Sequence, residues 1–190
     1  MTTENIFTKI DSFHDDLKAA KVLFYDKCDF DFTDLKLNSE SKEYGACSFK
    51  LNGKTIQHRC SKITPTKNGQ FVTIWKRNQE GITEPFDISD DLDFIIITSK
   101  NEDKFGQFVF PKSVLAVKGI ISKNDKNGKR GIRVYPPWDI VTNKQAAKTQ
   151  NWQCKYFVAI SNGNSNDFYL IKKLILESNF SVNTFAGLKL

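Results

Sequence analysis

Residues 93–99 read Asp93-Phe94-Ile95-Ile96-Ile97-Thr98-Ser99, and this stretch decides the fold. Its apolar side chains follow one another without the alternation expected of a strand that has one face in water. A strand of this kind is covered on both faces and lies in the middle of a sheet. The sequence therefore predicts a central strand here, with a layer of structure on either side of it.

A hairpin is predicted on the N-terminal side of this strand. Residues 45–51 and 55–60 have strand composition and flank Asn52-Gly53, two residues that both tolerate positive φ. Such a pair between two strands is the strongest short-range signal for a two-residue hairpin turn. Residues 70–77 again have strand composition, and we expect them to add a third strand that completes a meander.

The sequence on the C-terminal side of the central strand predicts further strands and helices. Residues 106–110 predict a fifth strand, and Pro111 can open a helix that ends at Gly119. The remaining predicted elements are a hairpin of residues 120–122 and 132–135, a helix over residues 142–156 with Thr142 as N-cap, a short strand or helix end at residues 157–161, and a helix over residues 167–178.

The N-terminal segment predicts one helix and one connection. Apolar residues recur at every third or fourth position from Ile6 to Phe24, which is the spacing of an amphipathic helix. Residues 26–42 are rich in Asp, Asn and Ser and predict an irregular connection. We expect the 190 residues to form a single α/β domain, residues 1–190, with a mixed central sheet flanked by helices.

Charge is separated into blocks along the chain. Residues 42–77 hold eight Lys and Arg against Glu43, and residues 112–156 hold ten against Asp125 and Asp139. Residues 78–104 hold eight acids and two lysines, so the net charge of +6 hides two basic segments around an acidic one. Such segments favour a polyanion such as nucleic acid as the partner.

The basic segments supply cations that can neutralise phosphates and aromatic rings that can stack on bases. Alternation along its strand turns Arg59 away from His58, toward a face where a phosphate contact is possible. The candidate nucleic-acid-binding residues are Arg59, Lys62, Lys67, Lys76, Arg77, Lys123, Lys126, Lys129, Arg130, Arg133, Tyr135 and Trp138.

Several other residues are interpreted as structural. His58 shares a strand face with Ile56 and Cys60, which predicts a buried histidine, and Gln107 is expected to hydrogen-bond internally. Trp75 and Trp152 are expected in the core. Cys28, Cys47, Cys60 and Cys154 have no CxxC spacing, which predicts reduced, mostly buried thiols and neither a disulfide frame nor a zinc site.

Other function classes have no positive signal in the sequence. No apolar run reaches the roughly 20 residues of a membrane span, and the N-terminus lacks a signal-peptide pattern, so a cytoplasmic protein is expected. Motifs of the GxSxG, P-loop and GxGxxG types are absent from the sequence.

Four segments, in order and none of low complexity, carry a family resemblance. They are Tyr44–Phe49, Ser61–Arg77, Phe105–Lys112 and Arg130–Asp139. Together they resemble the MepB family of small bacterial proteins over about residues 43–157. The resemblance implies a fold similar to those of restriction endonucleases and tRNA endonucleases. With the basic segments, it favours binding of nucleic acid, double-stranded DNA before RNA.

A nuclease of the restriction-endonuclease type would need two carboxylates that hold Mg²⁺ and a lysine that steadies the attacking water. Asp91 and Asp93 are the candidates for the first carboxylate, and Lys112 is the candidate lysine. Phe110 stands where the second carboxylate should be. The triplets Asp34-Leu35-Lys36 and Glu102-Asp103-Lys104 have the right spacing but lie outside the expected strands. Glu43 and Glu84 could contribute a ligand from elsewhere, because a metal needs ligands that are close in space and not in sequence.

Three functions therefore remain open. The leading one is a nucleic-acid-binding protein without robust catalysis, which needs no cofactor or metal. The second is a Mg²⁺-dependent nuclease. The third is a protein-interaction module, in which the basic segments meet an acidic partner or the acidic segment of a second copy.

Overall fold

The computed structural model describes residues 15–38, 44–160 and 164–177, which form three β-sheets and four α-helices. The strands are β1 (Phe32–Leu37), β2 (Cys47–Leu51), β3 (Lys54–Cys60), β4 (Lys62–Thr64), β5 (Lys67–Thr73), β6 (Trp75–Arg77), β7 (Thr83–Pro85), β8 (Phe94–Asn101), β9 (Lys104–Pro111), β10 (Gly131–Val134) and β11 (Phe157–Ala159). The helices are α1 (Asp15–Ala20), continued by a π-helical turn (Lys21–Tyr25) and a 3₁₀ turn (Asp26–Cys28), α2 (Lys112–Val117), α3 (Lys144–Cys154) and α4 (Ser165–Leu176).

The largest sheet has β8 in its interior, in the order β1-β2-β3-β8-β9-β11. β8 pairs in parallel with β3 and antiparallel with β9, and residues 94–99 are all buried. The predicted central strand is thus confirmed, as is a mixed central sheet with helices. The likeness to restriction endonucleases stays a prediction.

Two layers cover this sheet, one on each face. On one face the segment after α1 packs with α4: the rings of Phe24 and Phe168 stack with centroids 4.6 Å apart. On the other face α3 contributes Trp152, whose ring lies 5.3 Å from that of Phe110. A three-stranded sheet, β10-β5-β4, lies on the same side and buries Val72 and Val134.

A chain of hydrogen bonds crosses the core under the first layer. The Tyr25 hydroxyl donates to Gln107 Oε1 (2.7 Å), and Gln107 Nε2 donates to Thr98 Oγ1 (2.9 Å). Thr98 Oγ1 lies 2.8 Å from His58 Nε2, and His58 Nδ1 lies 3.0 Å from the Gly45 carbonyl oxygen. Because a carbonyl only accepts, Nδ1 carries the proton and the Thr98 hydroxyl donates to Nε2. The internal roles predicted for His58 and Gln107 are confirmed.

The prediction of an irregular connection over residues 26–42 was wrong for β1. This strand pairs with β2 at the edge of the large sheet. Its register shifts between Thr33 and Lys36, and Asp34 has a φ of 54°. The irregularity interrupts the period-two pattern, and an edge strand keeps polar side chains, so the strand signal is weak.

Two predicted strand pairings were also wrong. The strand within residues 70–77 does not complete a meander, because β5 pairs with β4 and β10 while β3 has β8 beside it. Residues 120–122 do not form a hairpin with β10. Ser122 instead bridges Asp87. Both errors concern which strands meet, and local composition carries little information about pairing over long sequence distances.

Other predictions hold, some with shifted ends. The hairpin of β2 and β3 turns at Asn52 and Gly53, whose φ values are 47° and 76°. α3 begins after Asn143, and not Thr142, because the Asn143 side chain accepts from the Ala146 N–H (2.8 Å). The helix predicted from Ile6 is confirmed from residue 15 onward, and its first part lies outside the described residues.

The cysteines and helices agree with the remaining sequence-based expectations. All four cysteines are free thiols, three of them buried and Cys154 half-buried. Burial raises the pKa of the Cys154 thiol to about 11. Within the described part of the chain, no helix has the length and apolar character needed to cross a membrane.

The core hydrogen-bond chain predicts a contrast between two threonines. Thr98→Val removes a hydroxyl that serves Gln107 and His58, leaving buried polar atoms without partners, so we expect a loss of about 1–3 kcal/mol in the free energy of unfolding. Thr73 Oγ1 is buried and has no hydrogen-bond partner in the part of the chain that the structure describes. Thr73→Val is therefore the matched control and should be neutral or stabilising. Urea unfolding of both variants measures the difference in the free energy of unfolding. Equal losses in the two variants would contradict the role assigned to the Thr98 hydroxyl in the hydrogen-bond chain.

Candidate nucleic-acid interface

The three-stranded sheet β10-β5-β4, called the small sheet from here on, has an inner and an outer face. Val72, Ile132 and Val134 point toward the large sheet and are buried. The residues between them point outward, and the register places Arg133, Phe71 and Lys62 directly opposite one another across β10, β5 and β4. All three are half-buried. The outer face therefore carries a row in which a ring lies between two cations.

Two glycines of this sheet lie beneath aromatic rings. A Cβ atom on Gly69, which has a φ of +78°, would lie 2.5 Å from the Tyr135 ring. A Cβ on Gly131 would lie 2.8 Å from the Phe71 ring. A Cβ atom at either position would require the ring to move, so the two rings lie close against the backbone.

A groove of about 540 Å³ runs between β10 and α3. The cations among its described lining residues are Lys118, Lys129 and Arg133, and none of these lining residues is Asp or Glu. Lys118 and Lys129 are exposed. The described residues that line it are Lys118, Ile120, Lys129, Gly131, Ile132, Arg133, Tyr135, Asn143, Gln145, Ala146, Thr149, Trp152 and Gln153. We call this the cationic groove.

Gln153 holds one wall of the cationic groove to the other. From α3, its Nε2 donates to the Arg133 carbonyl (3.0 Å), and its Oε1 accepts from the Tyr135 N–H (2.9 Å). The side chain itself is only 1% exposed. The buried amide of Gln153 thus pairs with two backbone groups on the edge of β10 that faces α3. These two hydrogen bonds fix the distance between the strand and the helix.

Two of the groove's three cations, Arg133 and Lys118, are positioned by neutral groups. Arg133 donates from Nη1 to the Gly69 carbonyl (2.9 Å) and from Nη2 to Thr64 Oγ1 (2.8 Å). The Lys118 ammonium lies 5.3 Å from the centre of the Trp152 ring. No carboxylate among the described residues pairs with Arg133. Its positive charge is therefore oriented but not neutralised.

Other predicted cations lie elsewhere, beside the acidic segment. Lys76 pairs with Asp90 and with Glu84 (3.3 Å). Partial burial acts to lower the pKa of Lys76, but its hydrogen bonds and charge interactions with these two carboxylates outweigh burial and raise the pKa. Arg130 Nε donates to the Thr83 carbonyl (2.9 Å). Arg77, Lys123 and Lys126 also lie here, the first bonded to the Gly81 carbonyl and the lysines in a cleft with Glu84, Asp87 and Asp125.

Two predicted contact residues lie outside the groove, Arg59 buried and Trp138 half-buried. Arg59 is on the predicted face, but the small sheet covers that face, and the side chain is 3% exposed. Its guanidinium donates to the carbonyls of His58 (2.7 Å) and Trp75 (3.4 Å). Trp138 packs edge-on against Phe157, with centroids 5.3 Å apart. Neither residue lines the groove. The burial of Arg59 removes it from the candidate surface contacts, and a contact by Trp138 stays a prediction.

Sequence reasoning missed part of the groove. Lys118 follows α2, Gln145 lies on α3, and both line the groove although neither was a candidate. Trp152, expected in the core, is half-buried and lines it too. The isolated position of Lys118 in the sequence gives no signal of a site. Lys62, Lys67, Lys129, Arg133 and Tyr135 are the predicted residues that the small sheet and groove bring together.

The predicted nuclease residues meet at one end of β8. Asp93 Oδ2 accepts from the Thr55 N–H (2.8 Å), Lys112 Nζ donates to the Asp90 carbonyl (3.0 Å), and Asp91 is exposed. Asp93 and Lys112 are joined by a backbone hydrogen bond of 2.8 Å. Among the described residues, no three His, Cys, Asp or Glu side chains are grouped so that they could hold a metal. The nuclease assignment stays a prediction.

Comparison with known proteins gives one family. Residues 38–159 match the MepB-like family. The crystal structure of MepB is similar to this chain, with a TM-score of 0.68 and 32% sequence identity, and the match covers 86% of this chain and 100% of that chain. No curated protein matches the chain.

The two hydrogen bonds of the Gln153 side chain to β10 predict that replacing this residue lowers stability locally. Gln153→Leu leaves the Tyr135 N–H and the Arg133 carbonyl without their partner, so we expect a loss of about 1–3 kcal/mol in the free energy of unfolding. Hydrogen exchange at the Tyr135 amide should accelerate. Gln145→Leu is the control, because Gln145 is exposed on the same helix and should change stability by less than about 0.5 kcal/mol. An unchanged rate of hydrogen exchange at the Tyr135 amide in Gln153→Leu would contradict the role assigned to the Gln153 side chain.

Proposed function

The chain belongs to the MepB-like family, and for this member of it we propose a nucleic-acid-binding function centred on the cationic groove. One observation carries the proposal. Among the described residues, three cations line the groove and no carboxylate does, whereas Lys76, Lys123 and Lys126 lie among acidic side chains. A ligand with closely spaced negative charges is the complement of this surface.

Phosphate groups are the anions that best fit the cations of the groove. Arg133 has a planar guanidinium that its neutral partners hold in place, whereas Lys118 and Lys129 are flexible point charges at the rim. Such contacts release condensed counterions, so three of them on a duplex give a log-log salt slope of about −2.7. Binding of this kind needs no metal, cofactor or catalytic group.

The proposal predicts that the two rim lysines set the salt dependence. In Lys118→Gln/Lys129→Gln, affinity for a labelled oligonucleotide should fall at low salt. The salt slope on duplex should become shallower by about 1.8, which is two lost phosphate contacts. Fluorescence anisotropy at several salt concentrations measures both quantities.

The matched control is Lys27→Gln/Lys36→Gln, which removes the same charge from exposed positions on other elements. It should retain the wild-type salt slope. If the two double variants weaken binding equally, only net charge matters and the groove is not the site. Absence of binding by the wild-type protein at low salt would contradict the function itself.

A further inference from the structure

We infer that Gln70, a buried residue of β5, is a positioning residue for the cationic groove. The inference rests on the proposed function and names a residue that acts on the groove without lining it. Gln70 is 1% exposed, and its side chain points inward, as that of Val72 does, toward the large sheet. Hydrogen bonds on both sides of the small sheet support the inference.

The side-chain amide of Gln70 is bonded to the end of the large sheet. Gln70 Oε1 lies 2.7 Å from Ser61 Oγ, and Gln70 Nε2 lies 3.4 Å from the Lys100 carbonyl oxygen. Because a carbonyl oxygen only accepts, the Lys100 contact fixes which end of the amide is the nitrogen. Ser61 therefore donates its one hydroxyl hydrogen to Gln70, and the Ser99 hydroxyl, 2.7 Å away, donates to Ser61. We call Ser61, Gln70 and Ser99 the serine–glutamine cluster.

The serine–glutamine cluster lies where the chain passes from one sheet to the other. Ser61 is the single residue between β3 of the large sheet and β4 of the small sheet. Its N–H donates to the Thr98 carbonyl of β8 (2.9 Å), while its hydroxyl donates to Gln70 on β5. Ser99, also on β8, is fully buried. The cluster therefore joins the small sheet directly to the central strand of the fold.

Apolar side chains dominate the rest of the contact between the two sheets. The small sheet buries Val72, Ile132 and Val134 there. Apolar contacts tolerate small displacements, because the hydrophobic effect has no direction. Displaced hydrogen bonds, in contrast, leave buried polar atoms without partners, which is costly. The serine–glutamine cluster consequently selects one position of β5 against the large sheet.

Pairing between β5 and β10 carries this position to the wall of the groove. Gln70 is the register partner of Val134, and Gln153 binds the Arg133 carbonyl and the Tyr135 N–H on either side of Val134. Because backbone groups alternate in direction along a strand, Val134 turns its own N–H and C=O toward β5. β10 is thus held at a single level, between Gln70 on one side and Gln153 on the other.

The Arg133 guanidinium depends on the same end of β5. Its Nη1 donates to the carbonyl of Gly69, the residue next to Gln70 (2.9 Å). A shift of β5 at this point would move the acceptor and, with it, the charge that Arg133 presents to the groove. Toward the other end of β5, Thr73 Oγ1 is buried and has no hydrogen-bond partner among the described residues, so Thr73 offers a control on the same strand.

The inference predicts an effect on an amide that Gln70 does not bind. Gln70→Leu keeps most of the side-chain volume and removes its hydrogen bonds. Hydrogen exchange at the Tyr135 amide should accelerate at least about fivefold, the factor that corresponds to one net hydrogen bond. Exchange at the Ile96 amide, in the interior of the large sheet, should accelerate less. Thr73→Val is the matched control and should accelerate neither rate, as measured by NMR.

The same variant should weaken nucleic-acid binding although it retains every described cation of the groove. We expect Gln70→Leu to raise the Kd of a labelled oligonucleotide at low salt at least about fivefold, since the Arg133 contact is misplaced. If Gln70→Leu unfolds, Ser61→Ala removes the donor to Gln70 and should reproduce both effects. Ser61→Thr keeps that hydroxyl and should behave like wild type in exchange and in fluorescence anisotropy.

The outcomes separate this inference from the proposed function. Acceleration at Tyr135 that exceeds acceleration at Ile96, together with weaker binding, supports the inference. Equal acceleration at the two amides, no acceleration, or an unchanged Kd overturns it and leaves the groove as the proposed binding site. Absence of wild-type binding at low salt overturns the proposed function and the link to binding, and the exchange rates then decide whether Gln70 positions β10.

Discussion

The parallel pairing of β3 with β8 is the constraint on which the rest of the structure depends. Two parallel neighbours cannot be joined by a tight turn, so the chain must leave the sheet after Cys60 and return before Phe94. The crossover, residues 61–93, forms β4 to β7 and not a helix. It supplies two strands of the small sheet, and the third, β10, comes from later in the chain and forms one wall of the cationic groove.

The same constraint explains which parts of the fold are visible in the sequence. The run Phe94–Ile97 predicts a central strand and Asn52-Gly53 predicts a hairpin, because burial on two faces and a positive-φ turn each leave a local pattern. The partner of β5 leaves no such pattern. It pairs with β10, about sixty residues later, and the choice is made by the apolar faces of Val72 and Ile132 against the large sheet.

The candidate interface was predictable in composition but not in arrangement. The basic segments were evident from the sequence. In the structure, however, Lys76 is paired with two carboxylates, whereas Arg133 has neutral partners. The sequence pattern does not distinguish these two cations. Arg59 shows a second limit. Alternation gave its face correctly, but the small sheet that covers this face is itself a product of long-range pairing. Gly69 and Gly131 likewise resemble loop residues until the rings above them are known.

The acidic segment, residues 78–104, makes the distribution of charge over the molecule uneven. Glu84 and Asp90 lie within the crossover and neutralise Lys76 at the end that holds β6 and β7, whereas none of the described residues that line the groove is a carboxylate. Because exposed charges are screened beyond about 8 Å at physiological ionic strength, each end presents its own local field to an approaching ligand. Clustering of acids in one stretch of the chain therefore does more than balance charge. It places Glu84 and Asp90 beside Lys76 and leaves the described lining of the groove without a carboxylate.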